Sequence, residues 1–148
     1  MRNLLKFIFA TALVVSLHAE GKWLIDVKQA KEQAAKEGKA LLMDFTGSDW
    51  CAPCKLLKSN VLESEAFKEF AEKNFVLLEV DFPNDKKKIS KQTRAQNDKL
   101  NDEYKIKAFP SIVILDKNGK EVGREEGYFG ESPAEYIKKI ETILAKTK

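Results

Sequence analysis

Two cysteines occur in the 148-residue chain, Cys51 and Cys54, three positions apart in the run Trp50-Cys51-Ala52-Pro53-Cys54-Lys55. On a helix, residues at i and i+3 share a face and lie close enough for a disulfide to open and shut without dragging the backbone. Such a pair suits reversible thiol–disulfide exchange. If Cys51 begins the helix, its sulfur lies among unpaired backbone N–H groups, which favour thiolate over thiol. Cys51 is then the nucleophile, and Cys54, one turn further in, is placed to resolve a mixed disulfide formed at Cys51. Pro53 fits the first turn, where no N–H is required of it. A static structural bond explains the pair poorly, because so local a crosslink removes little unfolded-state entropy.

The ends and the composition narrow the chemistry further. Residues 1–19 read as a signal peptide: Arg2 and Lys6 give a basic start, 4–17 is mostly apolar, and Leu17-His18-Ala19 ends on a small residue suited to cleavage after Ala19. An uncleaved anchor is the alternative, although Thr11 and Ser16 dilute a stretch already short for a membrane span. No cysteine adjoins the cleavage site, which argues against a lipid anchor. The remaining residues, 20–148, form one domain with 24 Lys plus Arg against 23 Asp plus Glu. So small a charge gives no case for nucleic acid. The only histidine, His18, leaves with the leader, so Cys-His hydrolases and histidine-ligated metals are excluded, and two cysteines alone cannot close a structural zinc site. No metal or cofactor is expected.

The elements that must position the dithiol follow from periodicity and breakers. Asp26 caps a helix over 27–37 that stops at Gly38, and a strand over 39–45 precedes the loop Thr46-Gly47-Ser48-Asp49. The redox helix runs from about 51 to 61, Ser64 caps another over 65–73, and a strand covers 75–82. The polar stretch 84–105 is helical in its middle, with Lys86-Lys87-Lys88-Ile89-Ser90-Lys91 as a solvated helix face, docking to an acidic partner being the alternative. Strands at 112–115 and 120–126 flank an Asn118-Gly119 turn, and Ser132-Pro133-Ala134-Glu135 is a capping box opening a helix to about 146. Trp23 reads as an N-terminal packing anchor. Alternating strands and helices ending in a hairpin indicate a mixed α/β sheet covered on both faces.

Over 39–146 these residues resemble the thioredoxin family, in particular its exported bacterial members such as the C-terminal periplasmic domain of DsbD. The likeness rests on Asp44-Phe45 before the redox helix, the Trp-Cys-x-Pro-Cys-Lys run, the Phe109-Pro110 pair opening a strand, and the Asn-Gly hairpin with Gly127 near its end. It implies the thioredoxin-like three-layer fold and thiol:disulfide oxidoreductase activity. It further implies that Cys51 attacks and Cys54 resolves, that Pro110 is a cis proline facing the dithiol, and that the backbone of Phe109 pairs with a substrate strand. Asp44 would be the partly buried carboxylate behind Cys54 that takes its proton, with a strand-end aspartate satisfied by backbone as the alternative. Two departures from the family pattern bear on Asp44: the span from Asp44 to Cys51 is one residue longer, and Leu77 replaces the lysine that usually partners the aspartate. Trp50 is expected at the rim beside Cys51, where its exposed face contacts partners or simply packs.

Ala52 and Pro53 bring no histidine or charge that would further stabilise a Cys51 thiolate, as strong oxidants do. A reducing protein with a potential on the order of −250 mV is therefore expected. In an oxidising periplasm or extracellular space, a monomeric reductase of protein disulfides then needs a membrane electron donor. Two other readings stay open: a dithiol oxidase or disulfide isomerase, and a non-catalytic thioredoxin-fold binding module.

Overall fold

The computed structural model describes residues 22–147, so the leader read at 1–19 lies outside the described residues. These residues form five α-helices around one four-stranded mixed sheet: α1 (Val27–Glu37), β1 (Ala40–Thr46), α2 (Ala52–Leu57), α3 (Glu65–Asn74), β2 (Phe75–Asp81), α4 (Lys91–Tyr104), β3 (Ser111–Leu115), β4 (Glu121–Glu126) and α5 (Pro133–Leu144). Strand order is β2-β1-β3-β4, with β1 parallel to β2 and antiparallel to β3, and β3 antiparallel to β4.

Helix starts coincide with side chains that satisfy otherwise orphaned N–H groups. Asp26 accepts from Gln29 (2.7 Å), Ser64 from Phe67 (3.2 Å), and Ser132 shares a reciprocal capping box with Glu135. Alternation along β1 then divides the core. Leu42 faces a cluster with Leu57 of α2, Phe67 of α3 and Tyr136 and Ile140 of α5. Leu41, Met43 and Phe45 face Ala30 and Ala34 of α1 and Leu100 and Tyr104 of α4.

Three features depart from the local pattern. The redox helix breaks after Leu57 into a π-helical turn, Lys58–Leu62, in which Glu63 N–H donates to the Lys58 carbonyl (2.9 Å). The lysine run is no helix face: Ser90 caps α4, and Lys86, Lys87 and Lys88 lie on the loop before it. Residues 84 and 85 are held by bonds to distant Asp49, described below, and Asp85 in turn accepts the N–H groups of Lys87 and Lys88, an arrangement no helical periodicity encodes. Finally, Leu24 pairs with the outer edge of β2: its N–H donates to Leu77 O (2.9 Å) and its carbonyl accepts from Glu79 (2.8 Å). The preceding Trp23 packs against the α2/α3/α5 cluster as the anchor expected of it.

Candidate active site

Cys51 and Cys54 are joined by a disulfide with Cα atoms 5.3 Å apart. Cys51 is the N-cap of α2, and its Sγ accepts the Cys54 backbone N–H at 3.3 Å. Both residues are nearly buried, at 4% and 3% exposure. The same N–H is the group that would hold a thiolate on Cys51 once the bond opens.

The loop before the dithiol interlocks with the chain leaving β2. Asp81 accepts from Ser48 through both its N–H (2.9 Å) and Oγ (2.6 Å), and the Asp81 carbonyl accepts from buried Asn97 (2.9 Å). Asp49 accepts the N–H groups of Asn84 (2.9 Å) and Asp85 (3.0 Å), bonds that hold its carboxyl below the ordinary range. Trp50 donates Nε1–H to the Phe82 carbonyl at 2.8 Å. Its indole lies so close to Gly47 that a Cβ there would sit 2.4 Å from the ring, which is why this loop position takes glycine.

Trp50 remains 46% exposed and meets Phe109 edge-on at 5.7 Å between ring centroids; Phe82 meets Phe109 at 5.5 Å. The Phe109–Pro110 peptide bond is cis. Pro110 O accepts from Gly127 (2.8 Å), whereas the N–H and carbonyl of Phe109 take no hydrogen bond among the described residues. Beyond Gly127, Phe129 is 86% exposed, its ring lying against the Gly127 backbone. Glu131 holds this turn in place by accepting Phe129 N–H (3.0 Å) and pairing with Lys139 of α5.

Asp44 lies in β1 on the face shared with Leu42, the face that α2 covers. It is 5% exposed, and its Oδ1 has no hydrogen-bond partner. Burial, reinforced by Glu79 directly opposite on β2, raises its carboxyl to about 7. Lys58 opposes this shift from the π-helical turn, where its Nζ lies 3.7 Å from Glu79. Cationic compensation thus comes from Lys58, while Leu77 merely packs in the core. Asp44, Lys58 and Glu79 together line a cavity of about 520 Å³ beside α3. Tyr136 of α5 carries a buried hydroxyl that also lacks a partner; burial first, and Asp44 next, push its ionisation upward. Sequence reasoning missed Lys58, Glu79 and Tyr136. Only Glu79 left a trace, as the one charged residue within the otherwise apolar 75–80. Among the described residues no group of three or more His, Cys, Asp or Glu is placed to hold a metal.

Residues 27–144 match the family model described as a thioredoxin-like domain. The chain belongs to the thioredoxin-like family. It is 34% identical over 116 residues to the disulfide bond reductase DsbH of Chlamydia pneumoniae, covering 78% of this chain and 69% of that one. The thioredoxin-related protein DsbJ of the same organism is 32% identical over 108 residues, covering 73% of this chain but only 30% of that longer protein. A solved DsbH oxidoreductase superposes with a TM-score of 0.79 at 30% identity, covering 98% and 94% of the two chains. A thioredoxin from Thermus thermophilus shares the fold, with a TM-score of 0.67 at 21% identity over 86% and 89%. This thioredoxin-like protein is a thiol:disulfide oxidoreductase whose redox pair is Cys51–Cys54.

Proposed function

We propose that the protein is an envelope reductase of protein disulfides in which Cys51 attacks and Cys54 resolves. The observation that carries this reading is the N-cap placement of Cys51, with its Sγ on the Cys54 N–H, beside a rim of exposed aromatics and the unpaired Phe109 backbone. Likeness to DsbH, a protein named as a disulfide bond reductase, supports the direction.

In the reduced protein the Cys51 thiolate attacks one sulfur of the substrate disulfide. A mixed disulfide forms and the first substrate thiolate departs. Cys54 then gives up its proton and attacks Cys51 Sγ, expelling the second substrate thiolate and closing Cys51–Cys54. Two electrons have moved to the substrate, and a membrane dithiol donor restores the pair. Asp44, buried beneath α2 with a carboxyl that titrates at about 7, accepts the Cys54 proton at physiological pH. Phe109 offers its free N–H and carbonyl to an extended substrate segment next to Pro110, and Trp50 and Phe129 contact its side chains. The apolar leader over 1–19, cleaved after Ala19, supports export; among the described residues no helix is long and apolar enough to cross a membrane. Pairing of Leu24 along the β2 edge supports a monomer.

Trapping tests the assignment. Exported Cys54→Ala forms the mixed disulfide but cannot release it, so alkylated extracts run without reductant show adducts that vanish on reduction. The double variant of Cys51 and Cys54 shows none. Absence of adducts from expressed Cys54→Ala removes the reductase reading; adducts that survive loss of Cys51 overturn its role as nucleophile.

A further inference from the structure

We propose that the lysine-bearing loop between β2 and α4 is a docking surface for acidic segments of the protein substrate, locked beside the dithiol by the active-site loop itself. Its position is set by groups immediately preceding Cys51. Asp49 captures the N–H groups of Asn84 and Asp85, Trp50 binds the Phe82 carbonyl, and Phe82 N–H donates to Thr46 (2.8 Å). Lys86 is the next residue after the captured Asp85, so the lysines begin where the interlock ends.

Lys86, Lys87 and Lys88 are all exposed. Lys88 lies 3.7 Å from Asp49, whereas Lys86 and Lys87 form no ion pair among the described residues. Within 82–91 the sole carboxylate is Asp85, set against Lys86, Lys87 and Lys88 and engaged by the Lys87 N–H, which donates to its Oδ1 (3.0 Å). Exposed Lys107 stands just before Phe109, and exposed Lys55 donates from α2 to the Asp49 carbonyl (3.1 Å). Acidic side chains collect instead around the cavity by α3, where Glu63, Glu65, Glu69, Glu72 and Glu79 sit. Residues 20–148 carry only one net positive charge, so the basic field belongs to the dithiol rim rather than to the molecule as a whole. A substrate with carboxylates near its disulfide is steered, sulfur first, onto Cys51; one with lysines there is repelled.

The inference rests on the reductase reading, and the test separates the two. Three peptides share one intramolecular disulfide and differ only in flanking residues: glutamates, lysines or serines. At low ionic strength the acidic peptide is reduced with a kcat/KM about tenfold above that of the basic one, and the gap closes in 0.5 M salt, where the screening length falls to roughly 4 Å. In the Lys86→Glu, Lys87→Glu double variant the preference disappears or reverses while the serine peptide keeps its rate. Both lysines are exposed and unpaired, so the charge reversal does not touch the core. Equal rates for acidic and basic peptides, or a preference that survives the double variant, overturns the docking surface and leaves the reductase reading standing. Failure of the wild-type protein to reduce even the serine peptide overturns both.

Discussion

Asp44 is a carboxyl whose charge the fold opposes. In the unfolded chain it releases its proton near 3.8, and in the folded protein near 7, because burial and then Glu79 disfavour the anion. Between those values the unfolded state has lost the proton while the folded state retains it, so rising pH draws the chain toward unfolding. Stability therefore falls from about pH 4 to pH 7 and levels off above. Asp44→Asn should flatten this slope and raise stability at pH 8 by roughly 2–4 kcal/mol, as measured by denaturant titration at several pH values. The same substitution should slow closure of Cys51–Cys54 by about 10²-fold while leaving the first attack nearly unchanged, with stopped-flow traces resolving the steps. An unchanged stability slope contradicts the raised carboxyl; unchanged closure kinetics leave Asp44 as a structural residue only.

Elements meet at the dithiol through loops rather than through the sheet alone. The 46–50 loop and the 81–85 segment hold one another by bonds between Ser48, Asp49 and Trp50 on one side and Asp81, Phe82, Asn84 and Asp85 on the other. Gly47 is the space into which the indole fits. Gly47→Ala should displace Trp50, cost about 1–3 kcal/mol in stability from overpacking, and break the Nε1–H bond to Phe82. The indole N–H resonance and the tryptophan emission report that bond, and substrate KM should rise more than kcat falls. Retention of both spectroscopic signals in Gly47→Ala contradicts this account.

At the scale of the molecule, the sheet has an edge that the N-terminal segment protects. Leu24 adds a parallel bridge to β2, taking up Leu77 O and Glu79 N–H. Without it, β2 would present unpaired groups to another chain. Leu24→Pro removes the N–H that binds Leu77 and so releases the segment whose carbonyl accepts from Glu79; the Glu79 amide should then exchange with solvent many times faster, while amides of β1 remain protected. Sedimentation should then reveal self-association at high protein concentration. Unaltered exchange at Glu79 in this variant rules out Leu24 as the cover of the edge.

What the sequence determined by itself is local. The spacing of Cys51 and Cys54, the caps at Asp26, Ser64 and Ser132, the Asn118-Gly119 turn and the apolar run within 39–45 each depend on groups within a few residues, so their types sufficed to predict helices, strands and the mixed sheet. Reading Lys86–Lys91 as a helix face failed because distant Asp49, rather than local periodicity, holds 84–85. The break of the redox helix into a π-helical turn, which carries Lys58 to Glu79, was equally hidden. The surroundings of Asp44 were decided by tertiary structure alone, since Glu79, Lys58 and Tyr136 come from a strand, a turn and a helix far apart in the chain. A carboxyl takes its ionisation from whatever burial and charge are brought around it, and only the folded chain brings them together.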